Sequence, residues 1–387
     1  MKKNFLSKLI ILLAMLVAAS CIFMAVGCNG GKNNGDKTPA DDQNGQTNGD
    51  QNGGADGDGE EDGGQNNGNV PDDELLAHPD CGHKLNKYGF CGTCQVDMSF
   101  VTVAIGKDIT LEYHIVIHDP DLLKDKNLQV VINDGDHVEV INDLSPEDNG
   151  YVFKYHGIAP HQMAHEVDAA LVVVNDGDLI VIDDILNYSV KQNITELLAE
   201  HKDDAEIVQI LSDILRYGAA AQLYQSYEVD DLATDGVEGL APEKTDVPAK
   251  SDMSLTEVEG VVSDTYFNGA TVWFGSTTKL KITVKTDDIS QVTLKVNGVE
   301  VSGDKLEAGE EAGVYYYYTE DIGMAHFGDV YTFTVYDNGV EVETLTYSVN
   351  SYVYSKMNSD NPKMAGLALA LYRAGASAAD WVANHGN

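Results

Sequence analysis

The chain has 387 residues, of which 63 are acidic and 24 basic, giving a formal net charge of −39. That imbalance excludes a binder of phosphate backbones, so nucleic acid is not an expected partner, and it favours cations or basic surfaces over anionic ones. Hydrophobic residues make up 43% of the sequence, enough apolar material for two or three domains.

Lys2, Lys3 and Lys8 precede an apolar run over 9–26 that only Ser20 and Cys21 interrupt, the pattern of an export signal. Ala25-Val26-Gly27-Cys28 resembles the small-residue box before the modified cysteine of bacterial lipoproteins. The resemblance implies that residues 1–27 are a cleaved signal peptide and that the Cys28 sulfur carries lipid, as in palmitate-bearing lipoproteins. Two alternatives stay open: Cys21 after Ala18-Ala19-Ser20 is a competing box, and a run this long also suits an uncleaved signal anchor. Either way the rest of the chain is expected outside the cytoplasmic membrane, attached to its outer face.

Residues 28–74 are dominated by Gly, Asn, Asp and Gln with no aromatic side chain, a composition that cannot bury enough apolar surface to fold. A disordered tether of that kind reaches roughly 35 to 40 Å on average. Within it, Asp56-Gly57-Asp58-Gly59-Glu60 hints at a calcium loop but lacks the full ligand spacing. Residues 75–95 then bring together Cys81-Gly82-His83 and Cys91-Gly92-Thr93-Cys94. Paired soft or borderline ligands in tight glycine-containing turns are how small tetrahedral zinc sites are built, and the segment resembles the zinc-ribbon-like knuckles of bacterial surface proteins. The expected ligands are Cys81, His83, Cys91 and Cys94, holding a structural zinc, with His78 able to replace His83. Lipidation of Cys28 would leave an odd number of cysteines, which favours metal, although a Cys91 to Cys94 disulfide remains compatible with an oxidising location.

From residue 96 onward, short β-branched stretches at 99–104, 109–117, 129–132, 137–141, 151–155, 169–174 and 179–182 read as strands separated by Gly, Asn, Asp or Pro. Asn133-Asp134-Gly135 and Asn175-Asp176-Gly177 supply hairpin turns, because Asn and Gly tolerate positive φ. Ser189 and Gln192 are spaced as a capping box opening a helix, and a second helix is predicted over 203–224 from the three- and four-residue recurrence of Ile207, Ile210, Leu211, Ile214, Gly218 and Ala221. The order then repeats. Strands at 256–263, 271–274, 280–286, 291–296, 313–318, 329–336 and 340–346 lead to Tyr347-Ser348-Val349 and a closing helix over 360–381. Met163-Ala164-His165 pairs with Met324-Ala325-His326, Asn175-Asp176-Gly177 with Asp337-Asn338-Gly339, and Gly218 with Gly375. This predicts a mainly β protein with α: two tandem β-sandwich-like modules, at 96–232 and 255–387, each followed by a two-helix hairpin and joined by a linker at 233–254. Gly218 and Gly375 mark where each helix approaches another backbone, and a bulky residue at Gly218 is expected to loosen the first module without touching the second.

The succession Tyr-Ser-Val, helix, Tyr-Gly-Ala-Ala-Ala-Gln resembles a duplicated module of large secreted and lipid-anchored surface proteins of anaerobic bacteria. The resemblance covers most of 100–227 and, more weakly, 256–382, where Ala374-Gly375-Ala376-Ser377-Ala378-Ala379 departs from it. It implies a β-sandwich capped by a helical hairpin and no assigned activity, so no site residue follows from it.

Candidate chemistry is sparse. His161 and His165 have metalloprotease spacing, yet Gln162 stands where a general-base Glu belongs and Ile322 lies opposite His161 in the repeat. His114 and His118 share that spacing in a strand pattern, where it is incidental. The run Tyr315 to Tyr318 with Trp273 is the one concentration of rings, and the outward half of it, taken as Tyr315 and Tyr317, is a candidate stacking platform for a glycan or an anchor for a protein. The expected role is therefore non-enzymatic binding or display at the cell surface, with a structural spacer and a metal-dependent hydrolase as the alternatives.

Overall fold

The computed structural model describes residues 96–118, 127–135, 137–142, 145–147, 150–175, 178–183 and 185–385. The signal, the tether and the Cys/His segment lie outside them, and with them Cys28, His78, Cys81, His83, Cys91 and Cys94. The protein is mainly β, with four sheets and four α-helices among the described residues.

In the first half, β1 (Val96–Ile105), β2 (Ile109–Ile117), β6 (Gly150–Ile158) and β5 (Ser145–Glu147) form one antiparallel sheet in the order β1-β2-β6-β5. Pro146, which has no amide hydrogen to give a ladder, sits on the edge strand β5, where that loss is tolerated. The facing sheet runs β4-β3-β7-β8 through β3 (Asn127–Asn133), β4 (Val138–Ile141), β7 (Val167–Asn175) and β8 (Asp178–Val181), with β9 (Leu186–Tyr188) on β7. Alternate residues of both sheets, such as Leu111, Tyr113, Phe153, Val130, Ile132 and Leu171, are fully buried in one core. Two helices follow, α1 (Val190–Glu200) and α2 (Ala205–Gln225). The Ser189 hydroxyl caps α1 by accepting from the Gln192 amide, and the Asp204 carboxylate caps α2 by accepting from the amides of Glu206 and Ile207.

The second half likewise has two sheets and two helices, with β10 (Ser254–Glu257) as an added edge strand. Its sheets run β11-β12-β16-β15 and β10-β18-β17-β13-β14, built from β10 (Ser254–Glu257), β11 (Tyr266–Phe274), β12 (Thr278–Lys285), β13 (Val292–Val296), β14 (Val299–Glu300), β15 (Glu307–Ala308), β16 (Val314–Tyr318), β17 (Tyr331–Asp337) and β18 (Val340–Tyr347). The helices α3 (Val349–Lys356) and α4 (Pro362–His385) close the chain, α3 capped by Ser348. No helix among the described residues is long and apolar enough to cross a membrane.

Two sequence expectations need correction. The strand predicted at 256–263 ends early, because the chain turns at Gly260 with φ +81°, and β11 begins at Tyr266. Strand β11 carries a bulge at Asn268-Gly269, where its register against β12 shifts. The landmark Met163 does not correspond to Met324: the Met163 carbonyl accepts from the Lys191 amide at the start of α1, and the carbonyl doing the same for Asn350 at the start of α3 is that of Phe327. Ala325, not Ile322, therefore stands opposite His161.

The glycines sit at close approaches. A Cβ at Gly218 would lie 2.7 Å from the Met163 sulfur and 3.2 Å from the Pro160 carbonyl oxygen, and one at Gly375 would lie 2.8 Å from Cδ2 of Phe327. The halves are not independent, however. Helix α2 packs along α4, the Ser377 hydroxyl donates to buried Asp213 at 2.7 Å, and Asn384 donates to Glu206 at 2.7 Å. Tyr217, 3% exposed, hydrogen-bonds Thr278 of β12, and Asp108 bridges to Thr277. The connector at 233–254 has no helix or strand before β10 but is tied down, with Ala241 donating its amide to the Ser212 hydroxyl at 2.8 Å. A bulky residue at Gly218 therefore acts on a helix that both halves share.

Candidate functional site

The outer face of the sheet β11-β12-β16-β15 carries exposed Trp273 and the half-buried rings of two tyrosines. Strand β12 alternates strictly: Thr278, Leu280, Ile282 and Val284 are buried, while Lys279, Lys281, Thr283 and Lys285 point outward. Pairing transfers that parity to the neighbours. Trp273 lies opposite Lys279 and Thr271 opposite Lys281 on one side, and Tyr318 opposite Lys281 and Tyr316 opposite Thr283 on the other. The outward tyrosines are therefore Tyr316 and Tyr318. Tyr315 and Tyr317 pair with Val284 and Ile282 and face the core, with Tyr317 only 7% exposed and 6.4 Å from the Phe333 ring. The platform assigned to Tyr315 and Tyr317 is corrected by one residue, because period-two alternation leaves parity open until the register against β12 is known.

On this face Trp273, 39% exposed, meets Tyr318 edge to face at 6.4 Å. The indole folds back over Gly275, where a Cβ would come within 2.1 Å of it. Lys281 places its ammonium 3.6 Å from the centre of the Tyr316 ring and 5.7 Å from that of Tyr318. Lys279 and Lys285 are paired with Asp321 at 3.2 Å and Glu311 at 3.0 Å. Lys281 has no carboxylate partner among the described residues, so its charge is held by rings alone. Partial burial, then the charge of Glu307, pushes the Tyr318 phenol up, so it remains a neutral donor. A ribbon of ring edges and faces around one uncompensated ammonium suits a ligand with apolar faces and anionic or hydroxyl groups. It offers no nucleophile with an adjacent base.

The histidines are otherwise engaged. His161 packs edge-on to Tyr227 at 4.9 Å, and burial lowers its basicity. His165 bonds Glu228 through Nδ1 at 2.8 Å; burial alone would lower its pKa, but that bond and the Asp134 carbonyl together raise it. His114 bonds Thr102 and Glu147, each at 2.8 Å, and stacks on Phe100 at 4.2 Å. Among the described residues no group of three His, Cys, Asp or Glu side chains is placed to hold a metal.

Tyr217 and Gln222, the first and last residues of the Tyr-Gly-Ala-Ala-Ala-Gln stretch, also have structural work. Gln222, fully buried, donates to the Asp231 carbonyl at 2.9 Å and accepts from the Ala233 amide at 2.7 Å, folding the loop after α2 back on the helix. Tyr217 is the contact to β12 described above. No protein-family model matches the chain, and no curated protein matches it.

Proposed function

We propose that this chain is a lipid-anchored surface protein that binds a glycan, without catalysis, through the face formed by Trp273, Lys281, Tyr316 and Tyr318. The observation that carries this reading is the presentation of Lys281, which has no ion-pair partner among the described residues, between half-buried Tyr316 and Tyr318 and beside exposed Trp273, on a chain of net charge −39. Sugar rings present apolar C–H faces to aromatic side chains, and an ammonium at the centre selects those bearing carboxylate or other anionic groups. The repeated strand order, with capped helix pairs after each sheet pair, supports two tandem β-sandwich-like modules and with them the likeness to duplicated surface modules. In this reading residues 1–27 are a signal peptide, Cys28 is lipidated on the outer face of the cytoplasmic membrane, residues 28–74 are a tether, and Cys81, His83, Cys91 and Cys94 hold a structural zinc.

Binding of the full chain to arrayed anionic glycans or to cell-wall fragments, run with and without chelator, tests the reading. Trp273→Ala and Tyr318→Ala are each expected to weaken binding by about tenfold or more, while Tyr354→Ala, at an exposed tyrosine outside this face, leaves it unchanged. Binding indifferent to all three substitutions removes the platform, and no saturable ligand favours the structural spacer. Chelator is expected to leave ligand binding intact, as none of the four residues of the face is a proposed zinc ligand; loss of binding, or turnover that depends on metal, favours the hydrolase. Separately, Cys28→Ser should shift the protein from the membrane fraction to the soluble one. An unchanged membrane fraction in that variant would point to the uncleaved anchor.

A further inference from the structure

The chain contains two arginines, Arg216 and Arg373, each two residues before the close-approach glycine of its helix. Because α2 and α4 pack side by side, both guanidiniums line one open cavity of about 440 Å³ between the halves. Its walls are apolar, with Leu223, Leu232, Leu240 and Leu369, and Ala219 and Ala370 give it depth. A cavity of this size falls within the range of small-ligand sites.

The polar groups are unevenly satisfied. Arg216 donates from Nη1 to Asp213 at 3.1 Å and from Nη2 to the Ala241 carbonyl. Asp213 is 1% exposed and also accepts from Gln209 at 2.8 Å and Ser377 at 2.7 Å, so this arginine is neutralised by a fixed carboxylate. Arg373 is different. It donates from Nη1 to Glu243, while its buried Nε finds no hydrogen-bond partner. Glu243 belongs to the connector, and its side chain is 62% exposed, so moving it into water costs little desolvation. Its departure leaves one net positive charge at the mouth of an apolar cavity, with an orphaned donor beside the vacated position.

We infer that this cavity binds a small organic monocarboxylate with an apolar body, whose carboxylate replaces that of Glu243 on Arg373. A guanidinium offers parallel donors to a carboxylate, and the Nε hydrogen that Glu243 leaves unpaired completes the bidentate fork. The leucine walls take the hydrocarbon part. One net charge fits a monoanion; a dianion would leave a charge uncompensated in an otherwise acidic protein. Glu243 then acts as a built-in competitor that keeps the site closed in the absence of ligand.

Titration calorimetry and ligand-observed NMR on the full chain, with 4-phenylbutanoate as probe and 4-phenylbutanamide as its neutral counterpart, test the assignment. The acid is expected to bind saturably and the amide about tenfold or more weaker, the discrimination a charge-assisted fork provides. Glu243→Gln should tighten binding of the acid by about three- to tenfold, and Arg373→Lys should weaken it by about tenfold, since lysine keeps the charge without the fork. Equal affinity for acid and amide overturns the assignment, as does absence of saturable binding by the acid up to about 10 mM. If Arg373→Lys fails to fold by circular dichroism, Glu243→Gln decides alone: it lies on the exposed connector, and unchanged or weakened binding of the acid in that variant overturns the inference.

Discussion

Gly218→Val is expected to destabilise the protein by about 3 kcal/mol, at the upper end of what overpacking costs. The new Cβ would meet the Met163 sulfur at 2.7 Å, Ala233 Cβ at 3.2 Å and the Pro160 carbonyl oxygen at 3.2 Å. A methionine thioether can swing aside, but the carbonyl belongs to a turn whose backbone is fixed by its bond from Met163. Against this stands a gain of about 1 kcal/mol from removing glycine from a helix interior. For Gly218→Ala that gain offsets part of the clash, leaving a loss of about 1 kcal/mol, whereas for valine the steric cost dominates. Because α2 is shared between the halves, thermal unfolding should show one transition displaced downward. A melting curve in which only a fraction of the signal moves, or in which the valine variant melts with the parent, contradicts this account. Gly375→Val, facing Phe327 at 2.8 Å and the Met324 carbonyl oxygen at 3.3 Å, should behave alike.

Asp213→Ala is expected to cost about 2 to 4 kcal/mol. The carboxylate is wholly buried and has three partners: Gln209, Arg216 and, from the other half, Ser377. Removing it strands the Ser377 hydroxyl in the interface and leaves the Arg216 guanidinium, 20% exposed, with only the Ala241 carbonyl. That residual exposure keeps the expected loss below the range for a completely enclosed ion pair. Ser377→Ala alone should cost about 1 kcal/mol, and the double substitution should cost less than the sum, because the two side chains share one bond. Denaturant titration of the four proteins measures this directly. Strict additivity, or an Asp213→Ala loss under about 0.5 kcal/mol, would mean that apolar contact between α2 and α4 couples the halves without the buried carboxylate.

Much of this architecture was legible before any coordinates. The apolar recurrence through Ile207, Ile210, Leu211 and Ile214 marked α2, and Ser189 and Asn338-Gly339 marked a helix start and a hairpin turn by side-chain chemistry that acts locally. Other features were hidden for physical reasons. Asn297-Gly298 has the same turn conformation as Asn338-Gly339, with φ of 50° and 82°, but the strand beyond it, Val299–Glu300, is too short to show alternation. Asn268-Gly269 carries turn residues for the sake of a bulge. The candidate site depended on parity: four consecutive tyrosines look alike until Ile282 is known to face Tyr317, and strand register is a long-range property. The two arginines were visible as a composition oddity, yet only the packing of α2 on α4 brings them to a common cavity.

That helix contact also sets an order of events. Asp213 and Ser377 are separated by 164 positions, and α4 consists of 24 residues ending at His385. During synthesis the apolar flank of α2 therefore waits without its partner until α4 has been made. Contacts of such long sequence separation form late and slow the search for the native state. Without α4 the Asp213 carboxylate lacks its Ser377 bond and the flank of α2 at Ala219 and Ala220 stands bare opposite the missing Leu369 and Ala370, an exposed apolar stripe of the kind that invites association.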